Sequence, residues 1–251
     1  MPKLTIARFE SDLVTVVRYD AATHAAFREI FDEPTDANAV LQHLARPNEE
    51  SGLALVLHNV ADRPLAALQY VWTTTDEKGQ TRTRRHSSHS YNVSVYRPVI
   101  PAGNRLLITP ETMVEESVLE HVRKGGGILG SGGGSRMRGG APIVEWHFEL
   151  SVVIFEDGEI VGPDTHRLVV QLHCEHRAAE YIDEQIRLAE EQGRDARPVL
   201  EALKAFPLFN HEMMAEAVER AASFALHAPF GKISRASMRR VPLPKFYRRD
   251  K

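Results

Sequence analysis

The chain has 251 residues, of which 43% are hydrophobic and 26% are charged, and its formal net charge at pH 7 is −3. These proportions are typical of a globular protein with a buried core, and they exclude a chain that is disordered throughout. No apolar run approaches the roughly 20 residues that span a bilayer, and the N-terminal residues lack the apolar stretch of a secretory signal, so we expect a cytoplasmic protein without a transmembrane segment.

Residues 1–50 are predicted to form a mixed segment that packs on the rest of the chain. Residues 4–9 and 13–18 have the pattern of short strands, and residues 21–31 and 36–45 that of helices. Thr35 or Asp36 provides an N-cap for the second helix. Pro47 ends this helix, because the residue before a proline avoids the helical conformation.

Residues 51–163 are predicted to be mainly β structure. Short alternating segments are separated by turns, as in a sandwich or barrel. Leu68, Tyr70 and Trp72 form the inward set of one strand, residues 76–79 a hairpin turn, and residues 91–95 and 106–108 further strands. A short helix is predicted at residues 110–124. Residues 125–140 include nine glycines and lack the phosphate-loop pattern, so we predict a flexible connector.

Residues 143–155 show the clearest periodicity in the chain. Apolar and polar residues alternate there, which predicts a long strand with one buried face. Val144, Trp146, Phe148, Leu150, Val152 and Ile154 are predicted to face the core, and Glu145, His147, Glu149 and Ser151 to face away from it.

Residues 164–227 are predicted to be helical. Asp164 is a plausible N-cap for a helix that runs to about residue 192, and two shorter helices follow at 196–205 and 210–227. The stripe predicted to be buried along the long helix is Val169, Leu172, His176, Ala179, Ile182, Ile186 and Ala189. Together these patterns predict an α+β fold with an antiparallel β-sandwich core and C-terminal helices.

Two stretches resemble the immunoglobulin-like sandwich domains of uncharacterised bacterial proteins. They are LVLHNVADRPLAALQYVW, at residues 55–72, and VIFEDGEIVGPD, at residues 153–164. The resemblance covers about residues 50–165 and implies an immunoglobulin-like core. Such domains mostly bind or scaffold, so the resemblance implies a binding role and transfers no catalytic residue.

Two groups of residues have the chemistry of metal ligands. Glu145, His147 and Glu149 share one strand face at intervals of about 6.6 Å, and carboxylate and imidazole groups bind zinc, iron or manganese. Further ligands would come from His58, His86 or His89. The alternative, which we favour, is an ordinary hydrated face of an antiparallel sheet. The second group, residues 173–176, includes Cys174, which points about 100° away from His173 on a helix, so a shared ion is disfavoured there.

Two segments are strongly basic. Residues 82–89 contain three arginines and two histidines beside serines, and a solvated hairpin is the favoured interpretation over a phosphate-binding turn. The tail, residues 228–251, has a net charge of +7 against −10 for residues 1–227. Such a tail suggests an acidic partner, which is the protein's own body, another copy of the chain, nucleic acid or anionic lipid. The candidate binding residues of the tail are Arg235, Arg239, Arg240, Lys245, Arg248 and Arg249.

We therefore predict a non-enzymatic binding or assembly module without a cofactor, acting on a protein partner or on a second copy of itself. One alternative is a metal-dependent hydrolase or oxygenase that uses the face of Glu145, His147 and Glu149. A second alternative is binding of nucleic acid or another anionic partner through the basic tail.

Overall fold

A computed structural model describes residues 3–18, 53, 55–92, 97–108, 110, 113–114, 141–205, 211–227, 235–238 and 240–249. The strands are β1 (Lys3–Ile6), β2 (Val14–Arg18), β3 (Leu55–Asn59), β4 (Leu65–Asp76), β5 (Thr81–His89), β6 (Arg105–Ile108), β7 (Met113–Val114), β8 (Ile143–Phe155) and β9 (Ile160–Val161). The α-helices are α1 (Leu168–Glu191), α2 (Arg197–Ala205) and α3 (Glu212–Leu226). The predicted α+β class is confirmed.

These strands form two sheets. The long sheet has the order β1–β8–β4–β5, with β9 added to β8, and the short sheet has the order β2–β3–β6–β7. Every pair is antiparallel except β1 and β8, which run parallel. Among the described strands, β5 therefore lies at one edge of the long sheet and β1 lies near the other.

Apolar side chains from the two sheets share one core, so the sheets pack as a sandwich. The buried residues that build it include Leu55, Leu57, Leu106 and Ile108 of the short sheet and Leu68, Tyr70, Trp72 and Phe148 of the long sheet. The inward set predicted for β4 is thus confirmed. The immunoglobulin-like character of the sandwich stays a prediction.

The long strand β8 contains a β-bulge at Ser151. Leu150 and Val152 pair with consecutive residues of β4, so Ser151 has no partner on that strand. A bulge inserts one extra residue and inverts the alternation that follows it. The prediction is therefore wrong for Val152 and Ile154, which pack against the helices instead of the sandwich core. It is also wrong for Val144, which is 42% exposed near the start of the strand.

Helix α1 covers the outer face of the long sheet. Leu168 and Leu172 pack against Ala67, Val152 and Ile154. Farther along the helix, a second apolar core joins α1 to α2 and α3. The predicted stripe of α1 is buried except for two half-buried members, Val169 and His176. One helix thus connects the sandwich to the helical layer.

Helix α1 begins four residues later than predicted. It starts at Leu168, but Asp164 still caps it from outside the helix. The Asp164 Oδ1 atom accepts a hydrogen bond of 2.6 Å from the Leu168 amide, and its Oδ2 atom accepts one of 3.4 Å from the Val169 amide. The carboxylate therefore satisfies amides that a helix leaves without partners at its first turn.

Two other predicted elements differ from the structure. Met113–Val114 lies in a predicted helix, but it forms strand β7 and pairs with Leu107 and Ile108. Ser90–Asn92 is a 3-10 helix where a strand is predicted from residue 91. In both places pairing and packing with distant residues override local spacing.

Several predictions concern residues outside the described ranges. They are the helices at 21–31 and 36–45, the strand residues 93–95 and the glycine-rich segment 125–140. None of the described helices is both long enough and apolar enough to span a membrane.

Candidate functional site: edge strand β5 and its polar cleft

Strand β5 forms one edge of the long sheet among the described strands. It pairs with β4 over nine consecutive positions, from Thr81 to His89. Within the described residues it pairs with no other strand. Its first five side chains are all exposed. One side of β5 therefore presents main-chain N–H and C=O groups to a further strand.

The two faces of β5 have different neighbours. Arg84 pairs with Trp72 and His86 with Tyr70, so both side chains lie on the face of the sandwich core. Arg85 pairs with Val71 and lies on the opposite face. The cations at positions 84 and 85 consequently point to opposite sides of the sheet.

His86 extends a row of rings from the core to the sheet edge. Its ring stacks on Tyr70 with centroids 5.0 Å apart and planes inclined by 13°. Burial, and then the nearby charge of Arg84, lower the pKa of His86 below its ordinary value of 6.5. Burial also raises the pKa of the Tyr70 hydroxyl. Both rings are therefore neutral at pH 7.

A polar cleft of about 330 Å³ lies where β5 ends against the helices. It is lined by Ser87, Ser88, His89, Gln171, Glu175 and Arg220. Strand β5 supplies three of these residues, α1 supplies two and α3 supplies one. The cleft thus joins the edge strand to both helices.

Glu175 is the centre of the hydrogen bonds in this cleft. Its Oε2 atom lies 2.7 Å from Nε2 of His89. Its Oε1 atom accepts hydrogen bonds from Gln171 at 2.9 Å and from Arg220 at 3.3 Å. Gln171 also donates to the Ser87 hydroxyl at 3.2 Å. These contacts tie α1 and α3 to strand β5.

The Glu175 carboxylate is held in its charged form. Burial alone would raise its pKa, but the hydrogen bonds and charges of His89, Gln171 and Arg220 together lower it below its ordinary value of 4.5. Arg240 of the tail is close enough for the Glu175 charge to oppose the lowering of the Arg240 pKa by burial. The carboxylate therefore balances the charges of Arg220 and Arg240, which come from two parts of the chain.

Nε2 of His89 contacts Glu175, and its Nδ1 atom is buried without a hydrogen-bond partner. Through the contacts of Glu175, the cluster forms a joint between β5 and the helices α1 and α3.

The predicted metal ligands of β8 lie at separate positions along the strand and have different neighbours. Lys3 donates to Glu145 at 3.2 Å, and His147 pairs in register with Thr73 and Thr5. Among the described residues, no group of three or more His, Cys, Asp or Glu side chains is placed to hold a metal ion.

The three histidines proposed as further ligands for that face have other neighbours. His58 lies on the short sheet beside the Gly103 carbonyl, 3.1 Å away. His86 is on the core face, opposite to Glu149, and His89 contacts Glu175. The structure does not bring these side chains together with the β8 face.

Residues 173–176 do not converge either. His173 contacts Phe246 edge to face at 5.4 Å, and His176 lies 3.5 Å from Glu180. Cys174 is half-buried, and burial raises the pKa of its thiol. The predicted separation of these side chains around the helix agrees with their different neighbours.

The described part of the tail lies along the body of the protein. Arg235 contacts Asp183 through two hydrogen bonds of 2.8 and 2.9 Å, and Arg249 lies 3.1 Å from Glu159. Arg248 donates to the carbonyl of Gly162. These contacts correspond to the predicted alternative in which the tail binds the protein's own acidic surface.

The other candidate tail residues have different positions. Arg240 is half-buried near Glu175, and Lys245 is exposed. Arg239 lies outside the described residues. The main chain also holds the tail, because the Ile160 amide donates to the Tyr247 carbonyl at 2.8 Å and the Tyr247 amide donates to the Gly158 carbonyl at 3.1 Å.

Sequence patterns alone miss the joint around Glu175. Gln171 and Glu175 are four residues apart on one side of a helix, which is a local signal of interacting side chains. Nothing local indicates that His89 and Arg220 meet them from a strand and from another helix. Basic residues 82–89 were predicted to form a solvated hairpin, and their exposure from Thr81 to Arg85 agrees with that.

Comparison of the chain with protein-family models, curated proteins and solved structures gave no match.

Proposed function

We propose that the protein is a non-enzymatic binding module that pairs strand β5 with an extended, acidic segment of a protein partner. The observation that supports this most directly is the nine-residue strand β5, which among the described strands pairs on one side only and is exposed over its first five residues. Addition of a strand to a sheet edge is a recurrent mode of peptide recognition.

The backbone of β5 supplies the affinity in this proposal. In an antiparallel pair, alternate residues of each strand exchange hydrogen bonds with the neighbouring strand. The stacked Tyr70 and His86 rings and the joint around Glu175 hold β5 in place before a partner arrives. A preorganised strand loses less conformational entropy on binding than a mobile one.

The arginines of β5 supply the selectivity. Charged side chains on an edge strand protect it from pairing with other copies or unrelated edges. The same charges favour a partner strand with carboxylates opposite them. Arg84 and Arg85 therefore exclude neutral or basic strands and admit acidic ones.

The tail is the weaker candidate for the partner site. Arg235 and Arg249 already contact Asp183 and Glu159 of the same chain. An external anion would have to displace these carboxylates.

The proposal is tested with a fluorescein-labelled peptide of about nine residues in which glutamates alternate with valine and threonine. Fluorescence anisotropy measures its affinity for the protein. We expect salt-sensitive binding that weakens about tenfold or more in an Arg84→Glu/Arg85→Glu variant, because the attraction between the glutamates and the arginine on their face of the paired strands becomes a repulsion. Arg194→Glu is the matched control, since Arg194 is exposed beyond the far end of α1.

N-methylation of the peptide tests for strand pairing. One peptide is methylated at its odd-numbered amides and another at its even-numbered amides. Only one of these sets points at β5, so one peptide should lose binding and the other should keep it. Equal affinity of the two methylated peptides, or binding that ignores the charge reversal at Arg84 and Arg85, would contradict the proposal.

A further inference from the structure

We infer that the segment bound by β5 contains the sequence aromatic–acidic–acidic and runs antiparallel to β5. In this arrangement the aromatic residue lies opposite His86 and the two acidic residues lie opposite Arg85 and Arg84. The inference depends on the proposed function, because it specifies the partner of the same edge strand.

The need for two adjacent acidic residues follows from the two faces of β5. Arg84 is on the face of Trp72, and Arg85 is on the face of Val71. Side chains directly opposite each other on paired strands lie on the same face, with Cβ atoms about 5 Å apart. A peptide with carboxylates at alternate positions presents them on one face only and thus pairs with only one of these arginines.

The aromatic residue follows from the row of side chains that ends at His86. In register, Leu150 lies beside Tyr70, and Tyr70 lies beside His86. The His86 ring is half-buried, stacked on Tyr70 and kept neutral by burial and by Arg84. A residue opposite His86 on an added strand continues this row, and aromatic pairs are favourable across strands.

The direction of the partner follows from the energetics of pairing. Antiparallel pairs are slightly more stable per residue than parallel pairs, because their hydrogen bonds are not slanted. Read from its N-terminus, an antiparallel partner meets His86 first, then Arg85 and then Arg84. This order places the aromatic residue before the two acidic residues.

Three peptides of identical composition test the inference. They share threonine and valine flanks and differ in a central Tyr-Glu-Glu, Glu-Glu-Tyr or Glu-Tyr-Glu. We expect the first to bind about tenfold more tightly than the other two, measured by fluorescence anisotropy. In a His86→Ala variant, replacing the tyrosine of the first peptide by alanine should no longer weaken its binding.

The outcomes separate this inference from the proposed function. If all three peptides bind equally, and Arg84→Glu weakens each of them, the edge binds acidic strands but the inference is wrong. Tightest binding of the Glu-Glu-Tyr peptide would also overturn it, since that order matches a parallel strand. If none of the three binds, or if Arg84→Glu changes nothing, the proposed function itself is wrong.

Discussion

Arg63 contacts two carboxylates near the turn after β8. It donates hydrogen bonds to Asp157 and Glu159, and its guanidinium lies 4.2 Å above the centre of the Phe155 ring. The Glu159 side chain is only 4% exposed. A carboxylate buried to this extent is stable only while a cation compensates its charge.

Replacement of Arg63 by methionine is therefore expected to lower the free energy of unfolding by about 3 kcal/mol, since it leaves the Glu159 carboxylate with a weaker partner. Chemical denaturation measures this change. The double variant Arg63→Met/Glu159→Met should recover most of the loss, because it removes the buried charge as well.

Arg187→Met is the control for that experiment. Arg187 contacts Glu184 and Glu191 on the surface of α1, and exposed pairs of this kind contribute little to stability. An Arg187 variant as unstable as the Arg63 variant would show that burial of Glu159 is not the cause.

At the scale of elements, the tail segment and the turn between β8 and β9 fit closely. Gly158 has a φ of 91°, and a Cβ atom at this position would contact the main-chain carbonyl of Lys245 and lie 3.2 Å from Cβ of Pro244. The adjacent Tyr247 forms a parallel bridge with Glu159. The glycine thus allows the tail to lie against the turn.

Gly158→Ala is expected to displace the tail, whereas Gly79→Ala is its matched control. Both glycines have a positive φ, but the space around Gly79 is open. A left-handed conformation costs alanine about 1 kcal/mol at either site. The free energy of unfolding should fall by at least about 1 kcal/mol more in Gly158→Ala than in Gly79→Ala, because the added Cβ atom must also displace a main-chain contact. Limited proteolysis of the tail should accelerate in this variant only. Equal decreases in the free energy of unfolding of the two variants would show that the tail does not pack closely against the turn.

At the scale of the whole molecule, α1 and the tail connect the β-sandwich to the helical layer. The sandwich core, the apolar contacts under α1 and the helical core are distinct clusters. The tail covers the middle cluster with Val241, Leu243 and Phe246. Loss of the tail should therefore expose the outer side of the long sheet and leave the sandwich core intact.

Deletion of residues 240–251 is expected to lower the free energy of unfolding by about 3 kcal/mol, since three partly buried apolar side chains are lost. The near-ultraviolet circular dichroism of the perpendicular Trp72 and Trp146 pair, with centroids 5.8 Å apart, should persist. A variant with all three apolar tail residues replaced by alanine should show most of the same loss. Disappearance of the tryptophan signal on deletion would instead show that the sandwich depends on the tail.

Local pattern predicted the buried faces of single elements well. The alternation around Tyr70 and Trp72, and that of β8 from Trp146 to Leu150, follows directly from the period of a strand, because alternate side chains lie on the same face of the sheet. The bulge at Ser151 has no such local signal. Its extra residue is accommodated by the pairing of β8 with β4, so the change of face beyond it follows from the partner strand.

The candidate site likewise combines a feature that was evident in the sequence with others that depend on the tertiary structure. Its basic residues, from Arg82 to His89, were evident in the sequence as a charged hairpin. The position of β5 at a sheet edge, and the joint of His89 with Glu175, depend on the order of strands and on the docking of α1. His89 and Glu175, for example, are 86 positions apart in the chain, and no local spacing specifies such a contact.

The sequence by itself determined the class of the fold, the inward set of β4 and the amphipathic C-terminal helices, because hydrophobic periodicity acts over a few neighbouring residues. Only the tertiary structure decided which strand stays at the edge, which carboxylate is buried and where the basic tail lies. These outcomes follow from strand pairing and from the balance of charges on segments that become neighbours only when the chain folds.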